Sequence, residues 1–291
     1  MPSPSQTLES LRREIDEIDD ALHDLIMRRA RVVEKVAAVK PAGRPTVRPG
    51  REAEIVRRLV GRHQGTFPAT ALVRMWREMI AALTRAQGPF SVAVCVPAED
   101  RGFWDLARDH YGSSTPMQAV NTPVAVLRAL ADGSATVGVV PWPDEEESDP
   151  WWRYLMNEDA KTPRVVARLP FCGRGNGKAE GGVDALALAA IPFEPTGDDH
   201  TLLGLELAED ISRGRLKDML EAAGLPATQY RTYHLPGGGG SVHLIEVESY
   251  VDAGDERLSA LARRLGDALV RVLPIGVYAT PFVVASESRK G

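Results

Sequence analysis

The chain has 291 residues, too many for one small domain, and its 44% apolar and 26% charged residues match an ordinary globular protein. A formal net charge of −5 lacks the basic excess that nucleic-acid binding requires, and two cysteines, Cys95 and Cys172, are too few for a disulfide framework or a thiolate metal site. No apolar run reaches membrane-spanning length and the opening MPSPSQTLES carries no basic-then-apolar signal, so a cytoplasmic enzyme with no membrane partner is expected.

The first 88 residues read as helix. Leu8, Leu11, Ile15, Ile18, Leu22 and Leu25 are spaced alternately by three and four, the apolar seam of a long helix that packs against other helices. That helix runs from about Thr7 to Val39, roughly 50 Å at 1.5 Å per residue, and Pro41 and Gly43 in KPAGRP break it. Pro49 suits the first turn of a second helix, which carries Ile55, Val56 and Leu59 inward and ends at GRHQGTFP. A third helix from about Pro68 to Gln87 places Leu72, Trp76, Met79, Ile80 and Leu83 on one face, and Gly88-Pro89 stops it.

From residue 89 the pattern changes. FSVAVCV, Met117 to Val120, TVGVVPW, VVARLPF and ALALAAIPF read as strands, with helices at WDLARDHYG and PVAVLRALADG. This alternation predicts a small α/β unit with a largely parallel sheet. From about His200 the order becomes strand TLLGLEL, helix SRGRLKDMLEAAG, strands TQYRTYHL and VHLIEVES, helix ERLSALARRLGDAL and strand VRVLPIGVYA, a ferredoxin-like βαββαβ. Three domains are expected, at 1–88, 89–196 and 197–291. GRGNGKAEGG lacks the Gly-Lys-Ser/Thr ending of a phosphate loop and reads as a plain loop, and LPGGGGS reads as a hairpin connection. Trp142, Trp151 and Trp152 are expected in packing.

The helical part contains one anomaly. Extended past Leu25, the seam of the first helix predicts apolar residues at 29, 32, 36 and 39; Val32, Val36 and Val39 comply, but position 29 is arginine. On the second helix the inward stripe runs back to Glu52, and on the third it runs forward to Gln87. A buried charge costs several kcal/mol unless paired, so three polar residues on converging stripes predict a lined pocket. Lys40 follows Arg29 by eleven residues and returns to within roughly 20° of its face, whereas Arg12 points about 100° away and needs a second copy of the helix to share the pocket. A homodimer is therefore expected. Forked guanidinium groups match carboxylates, an amide and an ammonium suit an oxygen gaining charge, and Glu52 can accept from a hydroxyl. No nucleophile with a paired base, no metal set and no cofactor are indicated. The pocket suits a small dicarboxylate whose reaction needs positioning and electrostatics.

LRREIDEIDDALHDLIMRRARVVEKVAAVK, RPGREAEIVRRL and WREMIAALTRAQ together resemble the all-helical chorismate mutase family over residues 7 to 88. The resemblance implies a chorismate mutase, rearranging chorismate to prephenate in aromatic amino acid biosynthesis. Arg12 from the partner subunit and Arg29 would hold the substrate carboxylates, Lys40 and Gln87 would flank the breaking ether oxygen, and Glu52 would take the ring hydroxyl. Arg51 would support the substrate side chain and Glu52. Two positions depart from the family pattern: Arg48 stands where many members have aspartate, and Leu83 where many have serine; both concern secondary contacts. The domain order resembles the bifunctional chorismate mutase–prephenate dehydratases with an ACT regulatory domain. The middle unit is short, however, and DALALAAIPF stands where a Thr-Arg-Phe signature is expected, which implies a dehydratase-inactive C-terminal half. TYHLP likewise replaces a Glu-Ser-Arg-Pro motif. An active bifunctional enzyme and a non-catalytic regulatory protein on the same scaffold are the alternatives.

Overall fold

The computed structural model describes residues 7–39, 45–97, 102–145, 147–173 and 183–282. Lys40 and most of GRGNGKAEGG lie outside the described residues. Three helices come first: α1 (Leu8–Val39), α2 (Pro49–Gly61) and α3 (Ala69–Gln87). The α/β part follows with β1 (Val92–Cys95), α4 (Gly102–Tyr111), β2 (Met117–Val120), α5 (Pro123–Ala131), β3 (Val137–Pro141), β4 (Arg164–Leu169) and β5 (Ala185–Ala189). The chain ends in β6 (Asp199–Leu207), α6 (Arg213–Ala222), β7 (Ala227–His234), β8 (Ser241–Val247), α7 (Glu256–Leu265) and β9 (Leu269–Ala279).

Among the described residues all nine strands form one mixed sheet in the order β2-β1-β3-β5-β4-β9-β6-β8-β7. Here the outcome differs from the largely parallel sheet expected for the middle unit. Only β1 with β2 and with β3 are parallel there, because β5 enters antiparallel between β3 and β4. The two halves join where β4 meets β9 in parallel through the pair Val165↔Gly276. Gly276 is what permits this, since a Cβ there would collide with the Val165 side chain. The continuous apolar strands have the composition of strands covered on both faces. One face of β1 and β3 packs Val92, Val94 and Val139 against Phe103 and Leu106 of α4, and the other packs Ala93 and Val140 against Val126 and Ala129 of α5. Trp151 and Trp152 sit in this second core with Leu202 and Leu244 of β6 and β8, while Leu203, Leu205 and Ile245 face α6 and α7.

The helical part sits on this sheet with its inner faces rotated from the expected ones. On α2, Ala53 and Val56 are buried while Ile55 and Leu59 are half-buried. On α3 the buried residues are Ala69, Arg77, Ile80, Ala81 and Thr84; Ile80 belongs to the expected face, whereas Leu72, Trp76, Met79 and Leu83 are half-buried. The cause is tertiary. α3 lies against α4, where the backbone at Gly112 comes so close that a Cβ there would stand 2.8 Å from the Ala81 Cβ. Arg57 of α2 reaches the sheet through Thr196 Oγ1 (2.9 Å) and the carbonyls of Asp198 (2.8 Å) and Thr280 (2.9 Å). No residue of α1 is buried, and its seam is exposed from Leu8 to Val39.

Buried His243 on β8 gives the fold an acid sensitivity. Its ring lies between Thr232 Oγ1 (3.1 Å) and Ser241 Oγ (2.9 Å), and burial, aided by His234 against the opposing Asp210, pushes its pKa down to about 4. In the unfolded chain the ordinary value near 6.5 applies. Between those values the unfolded state holds the additional proton, so stability falls as pH drops from 6.5 toward 4, by at most about 3 kcal/mol from this group. Thermal melts across that range are expected to lose Tm on acidification. His243→Gln should flatten the loss, and a parallel profile in that variant would assign the sensitivity elsewhere.

Candidate active site

Arg29, Val33 and Val36 follow one another on α1 at intervals of four and three and so share a face. They close one side of a recess of about 130 Å³ whose other walls are α2, the segment leading into it, and α3. Of the residues singled out in the sequence, Arg29, Arg48, Arg51, Glu52, Leu83 and Gln87 all line it. Arg12 does not. It lies on an exposed part of α1, seventeen positions and about 25 Å along the axis from Arg29. Lys40 lies outside the described residues. Thr46 and Thr84 also line the recess and were not among the candidates. Short polar side chains carry no pattern signal, since one on an inward face is most often a satisfied core residue.

The guanidinium of Arg29 is the least satisfied group in the recess. Its Nη1 is shielded from solvent and, among the described residues, has no hydrogen-bond partner. Burial lowers its pKa from the ordinary arginine value, yet a guanidinium stays charged throughout the working range. A buried charged donor without an acceptor costs more than the 1–3 kcal/mol of a neutral one. The group is therefore set to receive an anion.

Glu52, Gln87, Arg51 and Arg48 have partners. The Glu52 side chain is 12% exposed, and its Oε2 accepts from Arg77 Nη1 at 2.9 Å. Burial raises the Glu52 carboxyl and lowers the Arg77 guanidinium, each shift opposed by the partner's charge. Gln87 donates through Nε2 to the Leu83 carbonyl one turn back (3.0 Å), so it must turn from its own helix to donate to a ligand. Arg51 pairs with Glu54 at 2.8 Å on the exposed side of α2. Arg48 gives Nε and Nη2 to Glu194 Oε1 at 2.9 and 2.8 Å. Glu194 follows β5, so the sheet part supplies an anion to a recess arginine.

Arg77 was missed by the sequence reading. The stripe Val73–Arg77–Ile80–Thr84 has the same spacings of three and four as Leu72–Trp76–Met79–Leu83, and the larger apolar residues favoured the second. A charged residue between apolar Val73 and Ile80 on one stripe, a weaker form of the signal that marked Arg29, is present here too. Among the described residues, no group of three or more His, Cys, Asp or Glu side chains could hold a metal ion, and no helix is long and apolar enough to cross a membrane.

Three helices thus surround a recess that brings together the Arg29 guanidinium, the Glu52 carboxyl and the Gln87 amide. A family model for chorismate mutase type II matches residues 11–88, the segment that builds this recess. Two curated relatives are named bifunctional chorismate mutase/prephenate dehydratase. The protein from Stutzerimonas stutzeri is 32% identical over 148 residues (48% of this chain and 40% of its own length), and that from Pseudomonas aeruginosa is 34% identical over 143 residues (46% and 38%). The chain thus spans about two fifths of the length of these relatives. A solved prephenate dehydratase from Streptococcus mutans overlays with a TM-score of 0.48 at 15% identity, covering 67% of this chain and 100% of that one. A likeness of that degree gives no residue a role.

Proposed function

We propose that the recess is a chorismate mutase site that rearranges chorismate to prephenate, completed by a second copy of the chain. The observation that carries this reading is the buried Nη1 of Arg29, without a partner among the described residues, in a recess shared with Glu52 and Gln87. In this reading Arg29 and Arg12 of the partner subunit grip the two carboxylates, where forked donors meet paired oxygens. Lys40 and Gln87 donate to the ether oxygen as its bond to the ring breaks and charge gathers there, which lowers the barrier without covalent help. Glu52 accepts from the ring hydroxyl, Arg51 supports it, and no cofactor enters. The family match over residues 11–88 supports the assignment.

The C-terminal part is read as a dehydratase-derived unit, 89–196, followed by an ACT-like unit, 197–291, with the mutase domain at 1–88. The order β9-β6-β8-β7, with α6 and α7 against one face, supports the βαββαβ reading of the last unit. Absence of dehydratase activity is supported by β5, whose Ala185, Leu186, Ala187 and Leu188 are all buried in mid-sheet and offer neither a proton nor an anion site. Thr162 and Arg164, a Thr and an Arg elsewhere that could replace the missing pair, are disfavoured because Arg164 donates to the carbonyls of Leu155 and Asn157. The experiment is a turnover assay on the purified full chain. Chorismate is expected to yield prephenate, and added prephenate is expected to yield no phenylpyruvate above the spontaneous rate at neutral pH. Enzyme-proportional phenylpyruvate would favour the bifunctional reading suggested by the names of the relatives, and no prephenate from chorismate would favour a non-catalytic protein.

Glu194 gives a second test. If Arg48 is needed by the substrate, Glu194 competes for it, and an exposed pair of this kind is worth about 1 kcal/mol at most. Glu194→Gln should then lower KM for chorismate by a few-fold, about fivefold at most, with kcat little changed. An unchanged or higher KM would remove Arg48 from the site.

A further inference from the structure

Among the described residues Arg77 is the one buried lysine or arginine. Its ion pair with Glu52 is poorly explained by stability, because taking two charges out of water offsets most of their attraction. Its placement offers a better account. Glu52 lines the recess, whereas Arg77 stands behind it and lines a different cleft, between α3, α4 and the end of β4, with Val73, Leu106, His110, Phe171 and Cys172. The guanidinium is held from both sides: Glu52 Oε2 lies 2.9 Å from Nη1, and the Phe171 ring centroid lies 5.4 Å from Cζ. The same ring takes Arg57 of α2 at 5.7 Å and the edge of Phe282 at 5.4 Å, so it is fixed in turn by the sheet.

We propose that Arg77 is a positioning residue that orients Glu52 toward the recess and keeps it ionised, and that Phe171 makes this arrangement depend on the C-terminal sheet. This rests on reading the recess as the mutase site. A carboxylate that must accept from a substrate hydroxyl needs a fixed rotamer and a retained charge, and a guanidinium locked behind it supplies both. Without Arg77 the remaining charged groups pull in opposite directions. Arg29, Arg48 and Arg51 line the same recess, and the backbone hydrogen bond from Arg48 favours the carboxylate. Glu194, after β5, disfavours it, and Tyr111 of α4 is also close enough to interact. Burial, already the largest influence on this carboxyl with Arg77 in place, then favours the neutral acid further.

The proposal has a readout that needs no turnover. Full-length protein carrying carboxyl-13C glutamate is titrated by NMR, with the Glu52 resonance assigned by its loss in Glu52→Gln. Arg77→Gln should move the Glu52 titration upward by about one pH unit or more, and Arg77→Lys should restore most of the parent curve. Phe171→Leu, which leaves the ion pair's own atoms in place, should move it the same way by less, and it carries the test if Arg77→Gln does not fold. In chorismate kinetics Arg77→Gln should cost about tenfold or more in kcat/KM, with a new loss on the acidic side of the pH profile, and should cost nothing further in a Glu52→Gln background. An unmoved Glu52 titration in these variants, or additive losses with Glu52→Gln, would overturn the proposal. A parent chain that does not turn over chorismate would sink the mutase reading alone, because the titration still decides whether Arg77 governs Glu52.

Discussion

Arg29→Ala is expected to lower kcat/KM for chorismate by about a thousandfold or more while leaving the fold intact. Truncating one partner of a desolvated charge pair costs several kcal/mol, and each 1.4 kcal/mol is a factor of ten. The loss should be large here because nothing else engages the buried Nη1 of Arg29 among the described residues, so the bound substrate has to be its acceptor. Stability should move the other way or not at all. In the empty protein Arg29 is a half-buried charge with an unmet donor, and alanine removes that cost along with some packing against its neighbours. Arg29→Lys separates charge from shape: an ammonium keeps the charge but loses the planar fork, so a loss of intermediate size is expected. Initial-rate kinetics beside thermal melts check all of this. Near-normal turnover in the alanine variant would remove Arg29 from the site and, with it, the main support for the mutase reading.

Most elements were legible because each carries its own period. The three helices show spacings of three and four with proline or glycine at their ends, and the strands are short apolar runs, so element order and approximate bounds follow from local chemistry. Non-local pairing was not legible. That β4 pairs with β9 depends on a close approach at Gly276, which no local pattern announces. The antiparallel entry of β5 was hidden because a strand buried on both faces reads the same in either direction. At the site, Arg29 stood out by violating a long seam, and the recess brings it together with Glu52 and Gln87. Arg77 violates a shorter stripe that had an equally regular rival one position away, and only the packing of α3 on α4 decides between them. The Arg48–Glu194 pair joins residues 146 apart in sequence and is invisible to any pattern reading.

Placing charge on the seam of α1 is expected to dissociate the protein and abolish mutase activity in one step. Leu11, Ile15, Ile18, Leu22 and Leu25 remain 38%, 56%, 53%, 48% and 59% exposed, a continuous apolar stripe that no other described residue covers. Completing the burial of five such side chains is worth roughly 1 kcal/mol each or more, which makes the bare helix a strong candidate for self-association. A two-fold pairing presents the same patch from both copies. If two α1 helices run antiparallel and cross near residue 20, residue i of one faces residue 41 − i of the other, about half the length of the helix being shared on either side. Position 12 then faces position 29. The residue that cannot reach the recess within its own chain is thus delivered to it by the pairing that the seam itself favours. Ile18→Glu with Leu22→Glu should give a monomer by light scattering, with the sheet still melting cooperatively and chorismate turnover lost. Arg12→Ala and Lys40→Ala chains, each inactive alone, should regain activity when mixed, because one site of the mixed dimer collects both defects and the other has neither. A charged-seam variant that keeps the parent mass and rate would rule out a shared site, as would a mixture that stays inactive after verified exchange of subunits.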